Sequence, residues 1–176
     1  MTRLILFSLL LVAGVSLSAQ IFTLEAEQNN TLYWEGNLSA GEPITDLSWA
    51  WNSSVACFVE PREEFYKGNH VLYRSELPSY STMIITLVPD DPKQDISLYA
   101  YSGGHGAIPP NLSSCVSCEA DFPIEQEVRG RERPKHVRSV ELRAVRNPYP
   151  VTIGVSGPAG ATEAGYKLYI ELKKNR

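Results

Sequence analysis

The last third of the chain constrains the fold most. In Ser139-Val140-Glu141-Leu142-Arg143-Ala144-Val145 the apolar Val140, Leu142 and Ala144 alternate with Ser139, Glu141 and Arg143. Successive side chains of a strand point to opposite faces, so the segment reads as a strand with one dry and one wet face. Val151, Ile153 and Val155 repeat the pattern beyond the Asn147-Pro148-Tyr149-Pro150 turn, and Tyr166, Leu168, Ile170 and Leu172 alternate with Lys167, Tyr169, Glu171 and Lys173. A helix would scatter such rows around its axis.

Earlier segments have the same character. Val71 to Leu77 is ended by Pro78, Thr82 to Val88 by Pro89, and Ile96 to Tyr101 by Gly103-Gly104. Phe22-Thr23-Leu24 and Leu47-Ser48-Trp49-Ala50-Trp51 are weaker strand candidates, the second continuing into Ser54 to Phe58. About eight short strands punctuated by turn residues predict an all-β fold. The expected architecture is an antiparallel two-sheet β-sandwich of jelly-roll or immunoglobulin-like type, not a parallel sheet with crossover helices. Residues 103–134 form the one long stretch without strand character and are expected to be a loop.

A length of 176 residues suits one domain, and 43% hydrophobic content with a formal charge of -4 argues against wholesale disorder and against a strongly basic nucleic-acid binder. Residues 1–19 have the build of a secretory signal peptide: Arg3 precedes the apolar run Leu4 to Val15, and small residues follow up to Ala19. The run is shorter than the roughly 20 apolar residues that cross a bilayer, so no stable membrane insertion is expected after cleavage. Residues 20–176 are then a single β-sandwich domain, secreted or held in the periplasm or cell envelope.

The order of the strands resembles the bacterial pre-peptidase C-terminal domain, a small secreted β-sandwich appended to exported proteases and other secreted enzymes. The matching pieces are Val71-Leu72-Tyr73 leading to Met83-Ile84-Ile85-Thr86-Leu87-Val88, the strand Asp95-Ile96-Ser97-Leu98-Tyr99-Ala100-Tyr101, and the closing pair Pro150 to Gly157 and Tyr166 to Ile170. Together they span Asn69 to Leu172. Here the sandwich is nearly the whole mature chain, and its Cys-bearing insert at 103–134 is longer than the family's pattern. The resemblance implies a fold and an exported setting. It carries no catalytic residues and implies no reaction, so the chain is expected to be non-enzymatic.

Three cysteines, Cys57, Cys115 and Cys118, leave at least one thiol unpaired within the chain. Export makes a disulfide the default, with Cys57 joined to Cys115 or Cys118, or Cys115 joined to Cys118. A thioredoxin-like role would need a helix N-terminus beside a βαβ unit, which is not evident. A zinc set of Cys57, Cys115, Cys118 and His105 has only half of the usual paired spacing.

Hydrolysis would draw its base from His70, His105 or His136, and no G-x-S-x-G elbow accompanies them. His70 at a strand start reads as a turn-closing hydrogen bond, and His136 belongs to the solvated basic run from Arg129 to Arg138. No cofactor is expected, although the zinc set and these histidines leave a small metal-binding or hydrolytic protein as a second alternative, and calcium is a further candidate ion. Its ligands would come from Asp90, Asp91 and Asp95 or from Glu119 and Asp121, although Asp-Pro turn chemistry accounts for the first group without an ion.

The aromatic residues leave two readings. Trp49 and Trp51, on one face of a strand, would form a sugar-stacking platform if exposed and core anchors if buried, and Leu47 on the same face favours the core. Tyr99 and Tyr101, with Tyr169, are expected to point outward as a second ligand-binding platform. The partner is then an exported protein or a polysaccharide, and the loop around Ser114 to Asp121 is the expected working surface.

Overall fold

A computed structural model gives the fold, and it describes residues 21–52, 57, 60–104, 107–112, 117–123 and 136–175. The expected signal peptide, His105, Ser114, Cys115, the basic run before His136 and most of Ser54 to Phe58 lie outside the described residues.

Among the described residues ten strands make two packed sheets. They are β1 (Ile21–Thr23), β2 (Thr31–Asn37), β3 (Glu42–Pro43), β4 (Asn69–Leu77), β5 (Ser81–Pro89), β6 (Ser97–Ser102), β7 (Cys118–Asp121), β8 (Arg138–Ala144), β9 (Tyr149–Ser156) and β10 (Gly165–Lys174). One sheet has the order β1-β4-β9-β6-β7, with β3 also on β4; the other is β2-β10-β5-β8. The two-sheet sandwich expected from the sequence is therefore the fold. Its pairings are antiparallel except β1 with β4, which is parallel, Ile21 facing Leu72.

The alternation does what it predicts. Along β8 the buried Val140, Leu142 and Ala144 face inward while Ser139, Glu141 and Arg143 are exposed, and β10 buries Tyr166, Leu168, Ile170 and Leu172. They meet Val71, Tyr73, Leu98, Val151, Ile153 and Val155 from the opposite sheet in one continuous core. Each large aliphatic side chain taken out of water there contributes about 1.5–3 kcal/mol.

Three expectations need correction. Residues 47–51 are not a strand: Trp49–Asn52 form a single helical turn, α1. The Asp46 carboxylate accepts the Ser48 amide at 2.9 Å, and the Ala50 amide then reaches back to the Leu47 carbonyl at 3.0 Å. Aspartate offers the backbone this local bond in place of a ladder partner, and so starts a turn. Residues 103–134 are not without strands, because β7 pairs with β6 inside that stretch, Cys118 facing Tyr101. Finally, β2 joins the sandwich as an edge strand that the row of expected strands lacks.

Candidate functional site

The two outer faces of the sandwich differ sharply. On the β1-β4-β9-β6-β7 sheet the outward residues are covered by a cap made of α1, the 3-10 segment Glu60–Tyr66 and residues 107–112. Trp49, Tyr66, Leu72, Tyr99, Tyr101 and Leu112 form a second buried cluster between cap and sheet. Trp49 lies against Tyr99 and Tyr101, with ring centroids 5.7 and 5.3 Å apart.

The cap is fixed by polar bonds at its inner end. His70 is 2% exposed, with Nε2 2.7 Å from the Tyr66 carbonyl and Nδ1 2.9 Å from the Tyr99 hydroxyl. A carbonyl can only accept, so Nε2 carries the proton and Nδ1 accepts from Tyr99. Burial is the dominant influence on this imidazole and, outweighing the Tyr66 bond, lowers its pKa to about 4. Ser156 Oγ donates to the same Tyr66 carbonyl at 3.3 Å, and Ser97 Oγ donates to the Phe65 carbonyl at 2.9 Å. His70 thus does more than close a turn: it ties β4 to the cap.

A disulfide staples the other end. Cys57, just beyond α1, is bonded to Cys118 on β7, with Cα atoms 5.5 Å apart across 61 residues of sequence. This is one of the pairings expected from the sequence. It also takes two of the three sulfurs from the zinc set. Arg62 lies 5.1 Å over the Phe122 ring, which stacks on Phe65, so the rim is held by cation–π and aromatic contact.

The proposed ligand-binding aromatics are separated by this arrangement. Trp49 and Trp51 do not share a face: on a helical turn two residues apart they diverge, leaving Trp49 at 6% exposure and Trp51 at 37%. Tyr99 and Tyr101 do point away from the main core, as period two requires, but the cap buries them completely. Only Tyr169 of that expected outward set reaches the surface.

Tyr169 stands on the other sheet, whose outer face the described residues leave uncovered. Its register partner on β2 is Tyr33, 46% exposed, with ring centroids 5.3 Å apart and planes inclined by 50°. The Tyr33 hydroxyl donates to the Glu35 carboxylate on the same face. That bond to an acceptor anion pushes the Tyr33 pKa up to about 12. Tyr169 also faces Thr86, and Thr86 faces Ser139, their hydroxyls 3.4 Å apart. Two aromatic rings and two hydroxyls therefore form one row across four strands. Its aromatic half escapes a reading by strand hydropathy, because Leu32, Tyr33 and Trp34 are three apolar residues in a row; the alternating burial of β2 is what places Tyr33 on the wet face.

The acidic residues are dispersed. Asp91 accepts the Lys93 amide at 2.9 Å in the β5–β6 turn, Asp90 pairs with Lys167 at 3.4 Å, and Asp95 ends the turn. Glu119 is exposed on β7, whereas Asp121 accepts the Ser139 amide at 3.0 Å and closes the sandwich between β7 and β8. Among the described residues no three His, Cys, Asp or Glu side chains gather as metal ligands. No helix among them is long and apolar enough to cross a membrane.

No protein-family model and no curated protein matches the chain. Solved structures similar to it include the periplasmic inhibitor of g-type lysozyme from Aeromonas hydrophila, at 9% identity and a TM-score of 0.44, covering 88% of this chain and 99% of that one. A surface-associated copper-binding protein of Methylomicrobium album is similar at 10% identity and a TM-score of 0.44, over 88% and 98% of the two chains. The pre-peptidase C-terminal domain of collagenase from Bacillus anthracis aligns at 9% identity and a TM-score of 0.39, over 89% and 97%. The last is a domain of the family that the strand order resembles; the likeness is one of architecture.

Proposed function

We propose that the chain is an exported, non-catalytic β-sandwich module that binds or stabilises an exported partner, protein or polysaccharide, at the cell envelope or outside the cell. The observation that carries this reading is the unequal finish of the two outer faces. One is sealed by a cap stapled through Cys57 and Cys118, and the other presents its side chains to solvent. A stable disulfide suits an oxidising compartment, in keeping with the leader-like first residues. Of the candidate bases, His70 is withdrawn from catalysis, because both of its ring nitrogens are engaged in holding the cap.

The test is expression of the full chain in an exporting bacterial host, followed by fractionation, mass measurement, thiol counting and assays with chromogenic ester, peptide and glycoside substrates. The expected product is outside the cytoplasm, shortened by its leader, with Cys57 and Cys118 joined, one free thiol and no turnover. Cytoplasmic retention with three free thiols would overturn the exported setting. Turnover abolished by His70→Ala in a folded protein would overturn the non-catalytic reading.

A further inference from the structure

We propose that the open face of the β2-β10-β5-β8 sheet binds an extended neutral polysaccharide, with Tyr33 and Tyr169 as its stacking residues. This deepens the module reading above and rests on it, since it names the partner class and the face. Sugar rings present C–H bonds on their faces and hydroxyls at their edges, so they suit exposed aromatic rings bordered by hydrogen-bonding groups. The row Tyr33, Tyr169, Thr86, Ser139 supplies both in sequence, rings first and hydroxyls next.

The geometry selects chain length. With planes inclined by 50°, one sugar cannot lie flat on both rings, and a centroid spacing of 5.3 Å is about one sugar residue along an extended chain. Each tyrosine therefore meets a different residue of an oligomer. Tyr33 is held for this by its bond to Glu35. Tyr169 is held by its place on β10, which is paired on both sides.

Charge selects against the other polymers. Glu35 borders the row on one side and Glu171 on the other, while Lys167 and Lys173 are paired with Asp90 and Glu171 at 3.4 and 3.0 Å. Among the described residues the cations of this face, Lys167, Lys173 and Arg143, are interspersed with Glu35, Glu141 and Glu171 and form no continuous cationic track for a nucleic acid or an acidic glycan. The apolar Ile84 and Val88 stand half-buried among threonines and charges, unlike the charge-depleted centre of a protein interface. A neutral glycan needs neither feature.

The experiment uses the exported, disulfide-intact protein in affinity electrophoresis through gels containing soluble β-glucan, galactomannan, dextran or polygalacturonate. At least one neutral polymer is expected to retard it and polygalacturonate is not. Oligosaccharides of the retarding polymer should compete increasingly with length, and the monosaccharide should not compete. Tyr33→Ala and Tyr169→Ala should each weaken retention on the order of tenfold, a loss of about 1.4 kcal/mol. Trp51→Ala should retain it, and Tyr33→Phe, which keeps the ring but loses the bond to Glu35, should weaken it less than Tyr33→Ala. Tyr33 lies on an edge strand and is exposed, so its variant folds even if the Tyr169 variant does not, and urea unfolding verifies both. Absence of retention by every neutral polymer, stronger retention by polygalacturonate, or retention unchanged in Tyr33→Ala would each overturn the assignment. Export and thiol state are read on the same preparations, so such a failure leaves the module reading to stand or fall separately.

Discussion

The ring of Tyr99 occupies the space that a side chain at position 154 would need. The two residues face each other across β6 and β9, and even a methyl group on Gly154 would overlap the Tyr99 ring. A glycine in mid-strand weakens a sheet, and here it lets a large aromatic lie down under the cap. Gly154→Ala should therefore displace Tyr99 and cost about 1–3 kcal/mol in urea unfolding, as overpacking does elsewhere. An unchanged midpoint would mean that the ring can move aside freely.

His70 makes stability depend on pH. Its folded pKa of about 4 lies below the ordinary 6.5, so between these values the unfolded chain takes up a proton that the folded one refuses. Stability from this group is complete above pH 6.5, falls as pH drops toward 4, and changes no further below that. The whole loss is about 3 kcal/mol. Urea unfolding at pH 7 and pH 4.5 should show it, and His70→Gln should flatten that window; an equal slope in both proteins would assign the effect to other groups.

Removing the staple should act on one side of the molecule. In a Cys57→Ala, Cys118→Ala double variant the closed loop of 61 residues is freed, at a cost of about 2–4 kcal/mol. Amide exchange should accelerate in β7 and the cap while β5 and β10 remain protected. Uniform acceleration across both sheets would show that cap and sandwich unfold as one unit.

Tryptophan emission should divide by exposure. Trp49 at 6% exposure should resist iodide, Trp51 at 37% should be quenched, and the half-buried Trp34 should lie between. Trp51→Phe should remove most of the accessible fraction. Strong quenching that survives this change would mean that the cap opens in solution.

What could be read in the sequence follows from how many faces of each strand meet water. β8 and β10 have one dry and one wet face, so their alternation is clean and their inward residues were legible without the structure. β6 is buried along its whole length, because the cap covers the side opposite the core. Hydropathy cannot separate those two sides, and Tyr99 and Tyr101 look outward-facing until the cap is seen. The cap itself comes from residues distant in sequence, with Cys57, Tyr66 and Leu112 brought onto one sheet, which no local pattern announces.

The tryptophans illustrate a different limit. Spacing by two says that Trp49 and Trp51 share a face only if the segment is extended, and Asp46 with its bond to Ser48 makes it turn. Tyr33 is the converse case, since it stands between Leu32 and Trp34 in an unbroken apolar run and its chemistry is that of a core residue, yet it faces water. An aromatic ring on the wet side of a short edge strand blurs the strand and marks the surface at once.

β10 follows every other described strand in sequence yet lies inside its sheet, hydrogen-bonded to β2 on one edge and β5 on the other. A nascent chain halted before position 165 therefore holds two sticky borders with nothing to join them. Assembly of that sheet waits for β10 to emerge, and the long-range closure slows maturation. Until then the incomplete molecule depends on its surroundings to keep those borders from pairing with the borders of neighbouring chains.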